Sequence, residues 1–135
     1  MKHFLFIFSF LLLTTISLFA QDDGDDVDDN ATIRDKMSEY IQQKLNLTND
    51  EAKKFKPVFI EYFKEWKKTA RENRGDNLVL RQKIADLQVR YRDRFRDIIG
   101  DPRSNQVFTH QRGFILKLRE LRQERLRGGG GKNRP

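Results

Sequence analysis

From Gln21 onward the chain holds one His, His110, one Met, Met37, and no Cys. A metal site needs several ligands at fitted spacings, so this pair supports none. His110 stands between Thr109 and Gln111, on the side of its helix expected to face solvent, and a lone His makes no nucleophile-and-base set. The paired carboxylates Glu61 with Glu65, and Glu120 with Glu124, fall four residues apart on basic stretches. That spacing predicts ion pairs with Lys64, Lys68, Lys117 and Arg127 on the same helices, not acid–base work. The glycine run Gly128–Gly131 follows no strand and opens no helix, so it does not cradle phosphate. The reading is of a protein that is not an enzyme and needs no cofactor or metal.

Arginine carries the stronger signal. Arg90, Arg94, Arg112 and Arg119 stand among many others in the second half of the chain, too many for the local acids to neutralise. About half are expected on an ordinary solvated face. With aromatic residues between them, such a surface suits nucleic acid. It equally attracts acidic, partly unfolded polypeptides by long-range charge and holds their apolar parts weakly.

The N-terminus decides between those partners. Lys2 and His3 precede an apolar run from Phe4 to Leu13, broken only by Ser9, and the run reaches a small residue at Ala20. It is too short for a comfortable membrane span. It reads as a signal peptide over 1–20, cut between Ala20 and Gln21, which predicts a periplasmic protein. Export argues against nucleic acid as the physiological partner. The absence of Cys removes disulfides and lipoprotein acylation, so helix packing must hold the fold.

Charge is unevenly placed. Six of the twenty acids lie between Asp22 and Asp29; from Asn30 onward fourteen acids meet twenty-six bases, a net charge near +12. The acidic segment, residues 21–30, has only Val27 to bury and is expected to be disordered. It lacks the downstream Glu of a calcium loop.

Four helices must position the arginines. The first is expected over Ala31–Lys44, with Ile33, Met37, Tyr40 and Ile41 on one side and Asn30 or Thr32 as cap. The second starts at Thr48, where a Thr three residues before Glu51 makes a capping box. Behind it Phe55, Phe59, Tyr62, Phe63 and Trp66 share one face. Pro57 costs about 3 kcal/mol inside a helix, but each buried aromatic returns roughly 1.5–3 kcal/mol, so a kink is expected and not a break. Gly75 suits a left-handed stop, and Asp76 or Asn77 caps the third helix. That helix runs to Ile99 with Leu80, Ile84, Leu87, Tyr91, Phe95 and Ile98 as its stripe.

The fourth helix opens at Asp101-Pro102, Asp as cap and Pro in the first position. Its stripe is Val107, Phe108, Gln111, Phe114, Ile115, Leu118, Leu121 and Leu126. Gly113 lies inside it, as a tolerated glycine or a point of close helix approach. Residues 128–135 read as a flexible basic tail. The fold class is therefore all-α, with four helices in long antiparallel hairpins over 31–127. The long helices each reach roughly 35–39 Å at 1.5 Å per residue. Rods this thin leave apolar area uncovered, so a homodimer, an exposed apolar groove, or both are expected.

Leu45-Asn46-Leu47-Thr48-Asn49-Asp50-Glu51, in an exported, cysteine-free, Arg-rich helical chain, resembles the LTXXQ-motif family of periplasmic proteins, which includes Spy/CpxP-like chaperones and related periplasmic stress sensors. The Phe55–Tyr62 segment is similar to Bacteroidetes-type members. Leu47, Thr48 and Glu51 carry the motif; Glu51 stands where the family has Gln, and still caps. The second motif copy expected before the last helix is replaced by Gly100-Asp101-Pro102-Arg103-Ser104. The resemblance implies an elongated, curved, cradle-like homodimer. It implies ATP-independent holding of unfolded polypeptides, or control of a membrane-bound stress sensor or an extracytoplasmic sigma-factor system. The metal-sensing branch lacks its His and Met ligands here. Candidate client-binding residues are Arg90, Arg94, Arg112 and Arg119, with Phe55, Phe59 and Phe63 either in the core or lining the groove.

Overall fold

A tight double turn joins the first two helices and shows why the motif residues stand where they do. The computed structural model describes residues 24–129, as four α-helices: α1 Gly24–Lys44, α2 Asn49–Glu72, α3 Asn77–Ile99 and α4 Arg103–Gly129. At the end of α1, Asn46 adopts φ 49°, a left-handed conformation that Asn tolerates. The N–H of Leu47 then reaches the carbonyl of Gln42 at 3.1 Å, and the N–H of Asn46 that of Gln43 at 3.2 Å. This is the Schellman arrangement, which satisfies carbonyls that a helix end leaves orphaned. One residue later Thr48 caps α2, so Leu45–Glu51 both stops one helix and starts the next.

α1 begins at Gly24, so residues 24–30, expected to be disordered, are helical. The expected leader over 1–20, its Ala20/Gln21 cleavage, residues 21–23 and most of the glycine-rich tail lie outside the described residues. Gly128 and Gly129 continue α4 as its last residues.

α2 runs unbroken through Pro57. Phe55, Phe59, Tyr62 and Phe63 are buried, and Trp66 is half-buried. They meet Tyr91 and Phe95 of α3 and Phe108 of α4 in a chain of tilted and edge-on rings. Such ring pairs add about 0.5–1.5 kcal/mol each beyond their area burial. Met37, Ile41 and Leu45 complete the core from α1, and Tyr40 packs on Phe114 with centroids 5.5 Å apart.

Two helix-end expectations change. Gly75 is not left-handed; α2 ends at Glu72, with Asn73 as C-cap, whose side-chain amide donates to the Thr69 carbonyl at 2.8 Å. That local bond satisfies the helix end without a glycine. The end of α3 stays where the sequence placed it: Gly100, at φ 72°, stops the helix and donates its N–H to the Arg96 carbonyl. α4 starts at Arg103, not at Pro102. Its cap is the Pro102 carbonyl, which accepts from Asn105 and Gln106. The Asp101 carboxylate accepts from the side chains of Arg96 and Ser104 and not from the backbone of the first turn. Asp76 caps α3 as expected of one of the two candidates, accepting from Leu78 and Val79.

The stripe on α3 is rotated at its end: Ile99 is buried and Ile98 only half-buried. On α4 the stripe is buried as far as Phe114, after which Leu121 and Leu126 are exposed.

Candidate binding surface

The pairs between α2 and α3 set the register of the surface. Arg94 donates to Glu61 at 2.6 Å, and Arg90 to Glu65 at 3.0 Å. As numbers rise along α2 their partners fall along α3, the register of antiparallel helices. Glu61 and Glu65 therefore pair across helices; the expected partner Lys68 instead meets Glu72 at 3.9 Å. The reason is reach: a guanidinium on the facing helix offers a forked donor, where a lysine one turn away offers a mobile point charge.

Tyr91 belongs to the same cluster. Its hydroxyl donates to Glu65 Oε1 at 2.6 Å, and the Arg94 guanidinium lies over its ring, 5.0 Å from the centroid. The tyrosine bond, with Arg90 beside it, holds the Glu65 carboxyl below its ordinary value. Burial pushes the Tyr91 phenol up to about 12, with Glu65 adding to the shift. Arg90 and Arg94, expected to capture clients, are thus committed to neighbours.

Phe55 and Phe59 are completely buried, and Phe63 is 4 % exposed. None of the three lines a groove, so their place is the core. Hydrophobic burial of large rings outweighs any gain from presenting them.

Arg112 and Arg119 are exposed and meet no carboxylate among the described residues. Among the described residues, Arg112 donates a hydrogen bond to the Thr109 hydroxyl at 3.4 Å. Beside Arg112 is an apolar groove of about 390 Å³, framed by Trp66 of α2, Leu80 and Ile84 of α3, and Ile115 of α4. Arg81 is its second basic neighbour. The groove is formed where the stripes of three helices outrun their mutual cover. The signal was present in the sequence as stripes longer than the core they fill, but it did not name the residues. A larger groove, about 800 Å³, lies between α1 and α2 over Pro57, with Lys53 and Lys56 at its rim.

The motif residues serve helix ends. Glu51 N–H donates to Thr48 Oγ1 at 3.2 Å, and Thr48 N–H to Glu51 Oε1 at 3.1 Å, the reciprocal capping box. Arg103 adds two bonds to the same carboxylate and holds it below its ordinary value. Leu47 is half-buried. Buried polar groups are all partnered among the described residues. Tyr62 donates to Gln111 Oε1 at 2.7 Å in the centre of the core, and burial pushes the Tyr62 phenol up to about 12.

No group of three or more His, Cys, Asp or Glu side chains is placed to hold a metal among the described residues. His110 is half-buried and Met37 is in the core. No helix among the described residues is long and apolar enough to cross a membrane. Compared with known families, curated proteins and solved structures, the chain matches none of them. The surface chemistry therefore has to carry the functional reading.

Proposed function

We propose that this chain is a periplasmic, ATP-independent, chaperone-like protein that acts as a homodimer. It binds unfolded or stress-exposed polypeptides through a basic, partly apolar helical surface. The supporting observation is the outer half of α4. There Arg119, Arg122, Arg125 and Arg127 stand exposed without carboxylate partners among the described residues, beside exposed Leu116, Leu121 and Leu126. Unpaired charge steers an acidic chain to the surface, and exposed leucine gives it weak apolar purchase. The family resemblance of Leu47, Thr48 and Glu51 points the same way.

The test is aggregation of a denatured test protein followed by light scattering, with and without the purified chain and with no ATP. Suppression at near-stoichiometric amounts is expected. It weakens as salt screens exposed charge. It also weakens in Arg112→Glu with Arg119→Glu, and survives Arg90→Glu with Arg94→Glu. No suppression at several-fold excess overturns the proposal and leaves control of a membrane-bound stress sensor as the reading to pursue. Light scattering on a sizing column reads the dimer directly.

A further inference from the structure

Two rails of core residues run along α4. One is Val107, Gln111, Phe114, Leu118, Leu121 and Arg125; the other is Phe108, Gln111, Ile115, Leu118, Arg122 and Arg125. Both step by alternating three and four residues, so each keeps to one face of the helix. In the first half they are buried: Val107 completely, Phe108, Gln111 and Phe114 nearly so. In the second half the same face emerges from cover. Leu118 is half-buried, Leu121 is 45 % exposed, and Arg122 and Arg125 are exposed. Two arginines thus occupy positions that, by phase, continue the core.

Both α4 acids beyond Phe114 lie elsewhere. Glu120 and Glu124 follow Gly113 and Lys117 at steps of four, three and four, on the opposite face. Nothing on the emergent face neutralises Arg122 or Arg125. The face runs directly into the groove of Trp66, Leu80, Ile84 and Ile115, since Ile115 belongs to both. Arg81 and Arg112 add two more unpaired guanidiniums there.

We propose that this emergent face and the groove beside it form a docking site for one kind of partner: an acidic amphipathic helical segment of another polypeptide. Such a segment carries leucine-like residues at steps of three and four, with Glu or Asp between them. Its apolar side chains extend the stripe over Ile115, Leu118 and Leu121. Its carboxylates meet Arg122 and Arg125 as forked, charge-assisted pairs. The proposal rests on the polypeptide-binding reading above and names the segment that the surface selects.

Two other occupants fit worse. A second copy pairing through the same face brings Arg122 and Arg125 near their own counterparts, while Glu120 and Glu124 point away. Like charges meeting in a desolvated contact oppose that pairing. A lipid surface favours helices whose basic and apolar residues occupy separate faces. Here the arginines sit inside the apolar stripe, where acyl chains offer them no partner.

The test uses the full chain, purified as the cell delivers it, and a synthetic Trp-free peptide with Leu at helical spacing and Glu between. Trp66 is the only tryptophan and lines the groove, so its emission reports occupancy of this site. Saturable binding with a shift in Trp66 emission is expected. The dissociation constant should rise at least tenfold in Arg122→Glu with Arg125→Glu, and several-fold in the milder Arg122→Gln with Arg125→Gln. Unchanged far-ultraviolet circular dichroism shows that both variants fold. Equal binding of a scrambled peptide of the same composition overturns the proposal, as does wild-type affinity in both variants. So does binding of phosphatidylglycerol vesicles in preference to the peptide, or a dimer that the same substitutions dissociate. Aggregation assays separate the two levels. Wild-type peptide affinity in both variants, with suppression intact, sinks this site alone; failure of the wild-type chain to suppress aggregation sinks the broader reading.

Discussion

Arg103 lays both terminal nitrogens of its guanidinium on the carboxylate of Glu51, at 3.1 and 2.5 Å, across 52 positions of sequence. Its Nε also donates to the Ile99 carbonyl at 3.0 Å. One side chain therefore ties the start of α2 to the end of α3 and the start of α4. Glu51 is simultaneously half of the capping box, so this carboxylate and the Arg103 guanidinium together serve three helix ends.

That carboxylate sets an acid limit. Arg103 holds Glu51 below its ordinary value, Tyr91 does the same for Glu65, and Arg96 with Ser104 for Asp101. A carboxyl depressed in the fold stabilises it above the unfolded value and loses that contribution as pH falls through the folded one. Thermal stability should be flat from neutral pH to about 5 and should fall below the ordinary Glu value of 4.5. Glu51→Gln keeps an acceptor for Thr48 but no charge for Arg103. Its melting temperature should be lower at pH 7, and the gap from wild type should narrow toward pH 3. A gap that does not narrow contradicts the ion-pair account.

Thr48→Ala removes the hydroxyl that accepts from Glu51 N–H. The expected cost is about 1 kcal/mol, the usual loss on removing an N-cap. Urea unfolding reads it as a lower midpoint with an unchanged slope, whereas Thr48→Ser should recover most of it.

In the core, Tyr62→Phe should cost about 1–3 kcal/mol, because the buried Gln111 amide is left without its partner. Adding Gln111→Leu should return part of that loss, since both polar groups are then gone. The Tyr62 phenol, raised to about 12 by burial, also predicts alkaline behaviour. Its raised value stabilises the fold fully below the ordinary value of 10.0, and the contribution is lost as pH rises from there toward 12. The part of the tyrosinate absorbance that Tyr62→Phe removes should appear together with unfolding, not before it.

Gly113→Ala should be stabilising. A Cβ there meets only the Tyr40 hydroxyl, at 3.7 Å, an ordinary contact, and Gly113 is not left-handed. Removing an interior helix glycine then gives about 0.4–1 kcal/mol. A melting temperature below wild type would show that α1 and α4 need the glycine for closer approach.

Arg94→Glu should cost at most about 1 kcal/mol, because its pair with Glu61 is half exposed on both sides. The double exchange Glu61→Arg with Arg94→Glu should recover most of it. If Arg94→Glu instead abolishes client binding while the double exchange leaves it abolished, Arg94 acts on clients and not on α2.

Much of this molecule is legible in its sequence because helices are local. The capping box at Thr48 and Glu51, the aromatic face of α2 and the bounds of α3 depend on residues within a few turns, and spacing exposes them. Helix ends proved harder where two local solutions compete. Asn73 bonding to Thr69 displaced a glycine stop at Gly75, and Asn46 turned left-handed to end α1.

Partnership between distant residues had no such signal. Sequence spacing favoured Lys64 and Lys68 for Glu61 and Glu65, because it sees only one helix; packing α3 against α2 brought Arg94 and Arg90 closer. The same packing placed Phe55, Phe59 and Phe63 inside, committed two of the four candidate arginines, and left Arg112 and Arg119 without carboxylate partners among the described residues. The sequence by itself determined four amphipathic helices, their charge and most of their buried faces, since periodicity and capping act over one or two turns. Only the tertiary structure decided which charges are spent and where the stripe of α4 leaves the core, since both depend on how far neighbouring helices extend beside one another.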